Sequence, residues 1–220
     1  MEKVVLFGIG ELSRATYVCF THDSPYEVAG FTVDKEYITQ DTLFALPVVP
    51  FEEVESIYSP SEYKMFLPIS YRRVNKLRAE KYYQAKDKGY KLVSCVSSRA
   101  VIYPGTTIGD NSFISDNTVL QPNVQIGNDV IIWSSNLIGH NARIEDHCFI
   151  SSHVVVGGST VVEPYCFLGL NATIRDNITI ARECVIGAGA LILQDTEKRG
   201  VYIGSTADLL PKRSNELQKI

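Results

Sequence analysis

A repeat of six residues runs through the second half of this 220-residue chain. Neither an α-helix, with a period of about 3.6 residues, nor a simple strand, with a period of about 2, keeps such a repeat on one face. A hexapeptide repeat is the signature of a parallel β-helix, which we therefore predict for this half. A branched aliphatic residue stands at every repeat without an insertion: Ile102, Ile108, Ile114, Leu120, Ile126, Ile132, Ile138, Ile144, Ile150, Val156, Val162, Leu168, Ile174, Ile180, Ile186 and Ile192.

Two further positions of the repeat are restricted. The residue two before each aliphatic is nearly always small, with Asn136 and Ile178 as exceptions. Three cysteines on this position should be buried and inert: Cys148, Cys166 and Cys184. We expect glycine after the aliphatic because tight corners need a permissive backbone. It stands there at Gly109, Gly127, Gly139, Gly157, Gly169 and Gly187.

Composition excludes several classes of protein. The net charge of −4 and the pI near 5.6 give no global electrostatic reason to bind nucleic acid or an anionic membrane. The sequence has no run of 18 apolar residues, and its start, MEKVVLFGIGELSR, lacks the pattern of a signal peptide, so we expect a cytoplasmic protein. The five cysteines form no C-x-x-C pair, which argues against a zinc site and against a disulfide framework.

The first ninety residues alternate between strand and helix patterns. A strand, a turn and a helix are predicted for VVLFGIGELSRATYVCF. A second strand, EVAGFTVDKE, ends at Asp34, and a third is KMFLPIS. A helix is predicted for YRRVNKLRAEKYYQAKDKG and ends at Gly89. This order predicts a small parallel α/β sheet. Gly8 and Gly10 open the first helix, and Asp34 follows at about the distance of an acidic ribose ligand. The third glycine of the dinucleotide fingerprint is replaced near Ser13, and a G-x-G pair alone is also an ordinary turn.

An α/β unit followed directly by hexapeptide repeats resembles the hexapeptide-repeat sugar acyltransferases of the sialic-acid O-acetyltransferase and bacillosamine-type N-acetyltransferase family. The resemblance runs from VVLFGIG through FTVD to GAGALILQDTEKRGVYIGSTADLLPK. It implies a Rossmann-like domain over residues 1–92, which holds a nucleotide-linked sugar. It also implies a left-handed parallel β-helix with a C-terminal tail over residues 93–220. Three hexapeptides then form one triangular coil, so that residues 18 apart stack. The resemblance further implies a homotrimer that binds acetyl-CoA between subunits.

The same resemblance assigns residues to the active site. In the stretch IGHNARIED, His140 falls on the catalytic general base of the family. A neutral imidazole near pH 7 can accept a proton from a sugar amine or hydroxyl. Asn141 stands where the family has a carboxylate, which Glu145 or Asp146 could replace. Phe149 falls on a histidine that contacts acetyl-CoA in the family.

Small residues in the later coils are implied to line the groove for acetyl-CoA: Gly157, Gly158, Gly169, Gly187 and Ala188. They are also what tight corners would require. Lys212 and Arg213 in the closing segment could meet the phosphates of CoA or be solvated. Gly8, Gly10 and Asp34 are implied to bind the nucleotide of the sugar substrate.

Three functions follow from these observations. The leading one is acetyl-CoA-dependent N-acetylation of a nucleotide-linked amino sugar, with direct attack on the thioester. The second is O-acetylation of a free sugar of the sialic-acid type, and the third is a non-catalytic trimeric scaffold. A metal site like that of the γ-class carbonic anhydrases is not expected. His140 lies two residues past its aliphatic, whereas His147 and His153 each lie three past theirs, so no convergent trio forms in one chain.

Overall fold

A computed structural model describes residues 1–209, 211 and 214–216. The N-terminal part is an α/β unit with one five-stranded sheet in the order β3-β4-β2-β1-β5. All neighbouring strands in it are parallel except β3 and β4. Its elements are β1 (Glu2–Phe7), α1 (Glu11–Asp23), β2 (Tyr26–Val33), β3 (Thr42–Leu43), β4 (Leu46–Pro50), α2 (Val54–Ile57), β5 (Tyr63–Phe66) and α3 (Lys76–Asp87), with short 3-10 helices at Lys35–Tyr37 and Phe51–Glu53.

The predicted parallel sheet is confirmed, with two differences from the sequence pattern. The β3–β4 hairpin was not indicated by the pattern. Helix α3 also begins later than its charged pattern suggested. Arg73, Val74 and Asn75 have φ angles of 55°, 52° and 63°, and a left-handed backbone cannot continue into a right-handed helix.

The second half is a stack of two-residue strands in three parallel sheets, which form the three faces of a prism. The first face holds β6 (Cys95–Val96), β9 (Phe113–Ile114), β12 (Ile131–Ile132), β15 (Phe149–Ile150), β18 (Phe167–Leu168), β21 (Val185–Ile186) and β23 (Val201–Tyr202). The second face holds β7 (Val101–Ile102), β10 (Val119–Leu120), β13 (Leu137–Ile138), β16 (Val155–Val156), β19 (Thr173–Ile174) and β22 (Leu191–Ile192). The third face holds β8 (Thr107–Ile108), β11 (Gln125–Ile126), β14 (Arg143–Ile144), β17 (Val161–Val162) and β20 (Thr179–Ile180). A last 3-10 helix spans Ser214–Glu216.

Residues 18 apart pair in register, as Val119 pairs with Leu137 and Leu137 with Val155. The predicted parallel β-helix with 18-residue coils is therefore present. The aliphatics of the repeat form its core and are buried, except Ile102 and Ile108 in the first coil. Each buried side chain of this kind contributes about 1.5–3 kcal/mol. Ile102 is 39% exposed because, among the described residues, no earlier strand of the second face lies beneath it.

The corner glycines serve a purpose different from the one expected. The left-handed φ angles fall on non-glycine residues at the same place in successive repeats, such as Asn123, Asn141 and Ser159. The glycines that follow the aliphatics are not among the residues with positive φ. An added Cβ on Gly139 would lie 2.5 Å from the backbone nitrogen of Gly158 in the next coil. Glycine is therefore required there because successive coils pack backbone on backbone.

At several repeats, the small residue two before the aliphatic forms the same hydrogen bond. Its hydroxyl or thiol donates to the backbone carbonyl of the residue fifteen positions later, at a corner of the next coil. Six residues do so: Thr106, Ser112, Thr118, Cys148, Thr160 and Cys166, at distances of 2.8–3.3 Å. The thiols of the cysteine column are fully buried, as predicted. The hydrogen bond with Cys148, and after it burial, raises the pKa of the Cys166 thiol, which keeps it protonated.

The α/β unit covers the first face of the prism. Outward-pointing Phe113, Ile131 and Phe149 are buried in one cluster with residues of the N-terminal sheet. At the corner between the third and first faces, α3 inserts the fully buried Arg78. Its guanidinium donates to the backbone carbonyls of Asp129 and Cys148 at 3.0 Å each. The two halves are therefore joined by an apolar layer and by a buried cation.

Candidate functional site

His140 lies on an exposed corner of the prism, between β13 on the second face and β14 on the third. Its backbone N–H donates to Gln121 Oε1 at 2.9 Å, and its carbonyl accepts from Ser159 N at 2.8 Å. These bonds tie the corner to the coil below and to the coil above. Among the described residues, Nε2 of His140 has no hydrogen-bond partner, so this nitrogen is available to a ligand.

A pair of asparagine side chains holds the other ring nitrogen. Asn141 donates Nδ2 to His140 Nδ1 at 3.2 Å. Asn123, 18 residues earlier, in turn donates its Nδ2 to Asn141 Oδ1 at 3.2 Å. The side chain of Asn141 is therefore in direct contact with the His140 ring.

Gly158, in the coil above, packs against the imidazole of His140. A Cβ added to Gly158 would lie 2.8 Å from both Cε1 and Nε2 of His140, closer than real carbon contacts. Gly157 precedes it on the same corner, where an added Cβ would meet the backbone of Asp176 at 2.3 Å. Of these two residues predicted to line the donor groove, Gly158 thus lies directly against His140, and Gly157 packs on the coil above.

The remaining donor candidates lie on other corners. Gly169 and the pair Gly187–Ala188 stack between the first and second faces, where a Cβ on Gly169 would be 2.7 Å from the nitrogen of Ala188. Phe149 is 4% exposed on the first face and lies edge-on to Tyr71, with ring centroids 5.1 Å apart. The structure therefore divides the predicted groove into residues that touch His140 and residues that do not.

A cavity of about 740 Å³ lies between the α/β unit and the first face. It is lined by the turn that carries Gly8 and Gly10, by the loop 68–72, and by Trp133 and Phe149 of the β-helix. Gly8 has a φ of 92°, which favours glycine, and an added Cβ would clash with Ser13 Oγ at 2.7 Å. Both predicted glycines of the nucleotide site therefore face one cavity.

Asp34 does not line this cavity, although its neighbour Val33 does. The Asp34 carboxylate accepts a hydrogen bond from Lys81 Nζ of α3 at 2.5 Å. Lys81 also lies over the ring of Phe51, 5.2 Å from its centroid. A role for Asp34 in binding ribose or base stays a prediction, and the structure shows that a ligand would have to share the carboxylate with Lys81.

The other histidine of the middle coils is part of a buried network. His147 is 2% exposed, with Nδ1 2.7 Å from Asp129 Oδ2 and Nε2 3.1 Å from the Tyr83 hydroxyl. With both nitrogens engaged and no access to solvent, it is not available as a base. His153 is exposed, on the corner between the first and second faces.

The two carboxylates considered as substitutes for the one absent at Asn141 lie at the next corner. Asp146 accepts hydrogen bonds from the backbone and side chain of Asn128, and Glu145 precedes it after β14. Within residues 1–209, no carboxylate forms a hydrogen bond with the His140 ring. The hydrogen-bond partner of the imidazole is therefore the neutral amide of Asn141.

Among the described residues, no group of three or more histidine, cysteine, aspartate or glutamate side chains is arranged to hold a metal ion. No helix in this part of the chain is long and apolar enough to cross a membrane. Lys212 and Arg213 lie outside the described residues.

Sequence reasoning missed Gln121 and Asn123 as parts of the site. The signal was present, because in an 18-residue coil Asn123 lies directly below Asn141, and Gln121 directly below Gly139. Reading the sequence in columns of 18, and not only in steps of six, would have found both residues.

Comparisons with known proteins bear on the architecture. A family model of the GMPPB C-terminal domain matches residues 95–187. No curated protein matches the chain. A histidine-to-asparagine variant of perosamine N-acetyltransferase from Caulobacter crescentus, solved with CoA and GDP-perosamine, is similar in structure, with a TM-score of 0.82 and 21% identity over 92% of this chain and 93% of that chain.

Two further solved structures are similar along nearly their whole length. One is the acetyltransferase domain of PglB from Neisseria gonorrhoeae in complex with acetyl coenzyme A, with a TM-score of 0.80 and 20% identity over 95% of this chain and 99% of that one. The other is WeeI from Acinetobacter baumannii, with a TM-score of 0.79 and 18% identity over 94% and 99%. The chain has the fold of these proteins. Because both halves are covered, the fold shared with them includes the α/β unit as well as the β-helix.

Proposed function

We propose that the protein is an acetyl-CoA-dependent N-acetyltransferase of a nucleotide-linked amino sugar. The observation that carries the proposal is His140, which is exposed on a corner and has Gly158 against its ring. Its Nε2 has no hydrogen-bond partner among the described residues. The protein would be a cytoplasmic member of the sugar acyltransferase family that the sequence resembles. The proposal includes a left-handed β-helix over residues 93–220 and a Rossmann-like unit over residues 1–92.

The proposed reaction needs one positioned base. The sugar amine attacks the thioester carbon while His140 Nε2 accepts the proton of the amine, and the carbon–sulfur bond then breaks. His140 returns the proton to the departing sulfur, so the residue ends unchanged. No acyl-enzyme is required, because holding both substrates in line supplies much of the rate.

The proposed donor groove runs past Gly157 and Gly158, where the absence of side chains permits close approach of the pantetheine arm. Gly169, Gly187, Ala188 and Phe149 are proposed to contact the donor farther along the coils. The proposed acceptor site is the cavity of about 740 Å³, with Gly8 and Gly10 against the nucleotide. Asp34, next to the lining residue Val33, is proposed to reach the ribose or base from outside the lining. The similarity to a protein solved with CoA and GDP-perosamine supports this pair of substrates.

The homotrimer is part of the proposal because one chain separates the two sites. The cavity lies against the first face and reaches Trp133 at its edge, whereas His140 lies between the second and third faces. The whole second face stands between them. A second copy that brings its own His140 corner to the cavity would complete the site.

A direct test is an assay of acetyl transfer, with acetyl-CoA and a thiol-detecting dye. The acceptors are GDP-perosamine, amino sugars linked to other nucleotides, and free sialic acid. Turnover with one or more nucleotide amino sugars is expected. Activity on sialic acid alone would favour O-acetylation, and no activity on the panel would favour a binding scaffold.

The first variant to test is His140→Asn. Its kcat should fall by about 10²–10⁴, the range for loss of a positioned proton acceptor. The KM for acetyl-CoA should barely change, because His140 would act on the acceptor and not hold the donor. His153→Asn is the control, since His153 is also an exposed corner histidine, and asparagine tolerates its left-handed φ of 60°. If His140→Asn keeps about a third of wild-type turnover or more, far outside that range, His140 is not the base.

A further inference from the structure

The amide pair beside His140 determines which nitrogen of its ring carries the proton. An asparagine Nδ2 only donates hydrogen bonds, and its Oδ1 only accepts them. Because Asn141 directs Nδ2 at His140 Nδ1, that ring nitrogen must accept. A neutral imidazole with an accepting Nδ1 carries its proton on Nε2.

Asn123 fixes the direction in which Asn141 points. Its Nδ2 donates to Asn141 Oδ1, so the Asn141 oxygen is taken and only Nδ2 remains for the histidine. Turning Asn141 alone would set two NH₂ groups against each other. A Cβ on Gly105 in the coil below would lie 2.2 Å from Asn123 Oδ1, so glycine leaves the space in which this amide lies. Asn123, Asn141 and the His140 ring thus form a hydrogen-bonded ladder. This ladder has two self-consistent settings, which differ in the orientation of both amides.

We propose that Asn123 is a positioning residue that, through Asn141, selects the tautomer of His140. In the observed setting, the neutral ring has its proton on Nε2, the nitrogen without a hydrogen-bond partner in the described part of the chain. In the other setting, both amides are turned, Asn141 Oδ1 accepts from Nδ1–H, and Nε2 presents a lone pair. The proton passes between the ring nitrogens through solvent, because His140 is exposed, so the exchange consumes nothing.

The catalytic consequence rests on the proposed function. A base must present an unprotonated Nε2 to the acceptor amine, and only the turned setting does so. The ladder would thus hold the histidine in a resting tautomer, and turnover would proceed only from the setting in which both amides have turned. A carboxylate next to the histidine, which only accepts, would have no such resting setting.

The substitution Asn123→Asp isolates the ladder. A carboxylate at position 123 can only accept, so Asn141 must donate to it and must offer Oδ1 to the histidine. Aspartate tolerates the left-handed φ of 62° at this position. The matched control is Asn117→Asp, which adds the same charge at another exposed corner residue, with a φ of 58°.

The tautomer can be read without any substrate by long-range ¹⁵N–¹H NMR of the full-length protein, about two pH units above the ordinary histidine pKa. The His140 signals are assigned by their loss in His140→Asn. We expect the Nε2–H tautomer in wild type and in Asn117→Asp, and the Nδ1–H tautomer in Asn123→Asp. The same tautomer in wild type and Asn123→Asp would overturn the inference, whatever the protein catalyses.

A second measurement separates the inference from the proposed function. With acetyl-CoA and GDP-perosamine as probes, kcat of Asn123→Asp should rise by about fivefold, the factor that one hydrogen bond corresponds to. Asn117→Asp should leave kcat unchanged. A tautomer that switches without a rise in kcat would support the ladder and would contradict the role of His140 as a base.

Discussion

At the scale of single residues, the position of the His140 imidazole depends on the lack of a side chain at Gly158. Gly158 lies against the His140 ring from the coil above, 18 residues later. Even one methyl group on Gly158 would come within 2.8 Å of Nε2. The histidine is therefore located by its neighbours in three successive coils.

This arrangement predicts the effect of Gly158→Ala. Because Gly158 is not among the residues with positive φ, alanine fits the backbone, and the fold should be kept. The ring must turn away from the added methyl, and a misplacement of about 1 Å can cost about 10²-fold, so kcat should fall by about ten- to a hundredfold. Steady-state kinetics with acetyl-CoA and GDP-perosamine would measure the loss.

The control for this prediction is the double variant. In a His140→Asn background, Gly158→Ala should cause little further loss, because the group that it displaces is already absent. A loss of equal size in both backgrounds would show that Gly158 acts on the donor groove and not through the histidine.

The sequence was sufficient to choose His140, Asn141 and Gly158 as candidates, because the family resemblance implies a role for each of them and the repeat places them at corners. It did not indicate the direction of the Asn141 amide or the part played by Asn123. Columns of 18 residues show that Asn123 and Asn141 are stacked, but the direction of an amide hydrogen bond depends on contacts that no sequence period shows. Asp34 shows a similar limit, since its pairing with Lys81 comes from the packing of α3.

At the scale of elements, the repeat predicted the strands because each aliphatic must enter the same narrow core. The corners were predicted for the wrong reason. Left-handed φ angles recur at residues such as Asn117 and Tyr165, so the backbone strain is carried by non-glycine residues. Glycine is instead used where one coil touches the next. Periodicity shows which position is buried, but it does not show how closely two backbones approach.

The docking of α3 on the prism was also beyond the reach of the sequence. Arg78 lies on a highly charged helix, a pattern that does not distinguish it from its exposed neighbours, yet it is fully buried. Its Nε lies 3.1 Å from Asp129 Oδ2, an ion pair without hydrogen-bond geometry, while the outer nitrogens donate to carbonyls. Asp129 also accepts from Asn111 Nδ2 at 2.7 Å.

Arg78→Met should therefore be strongly destabilising. It leaves the buried Asp129 carboxylate without its cation, and breaking a buried pair costs about 3–5 kcal/mol. Arg73→Ala is the control, because the Arg73–Glu80 pair is 62% and 48% exposed and such pairs contribute about 0–1 kcal/mol. Thermal unfolding should show a large fall in Tm for the first variant only. Equal shifts would mean that α3 is held by its apolar contacts alone.

At the scale of the whole molecule, the three faces of the prism differ. The α/β unit covers the first face. The outward residues of the third face are mostly polar, among them Gln125 and Arg143. The second face carries an exposed apolar row, in which Val155 is 38% and Leu191 is 61% exposed. A row of this kind on one face marks the surface that a second copy would cover.

The proposed homotrimer can be tested by a matched pair of valines on adjacent faces. Val155 on the second face and Val161 on the third are the first, outward-pointing residues of consecutive strands. Val155→Asp would place a charge in the apolar row, and a buried unpaired charge is strongly unfavourable, so the assembly should dissociate. Val161→Asp should remain trimeric, because its face is already polar.

Light scattering should give three times the chain mass of 24.5 kDa for wild type and Val161→Asp, and one chain mass for Val155→Asp. Dissociation by Val161→Asp alone would assign the interface to the third face, and a monomeric wild type would remove the second copy that the proposed site requires.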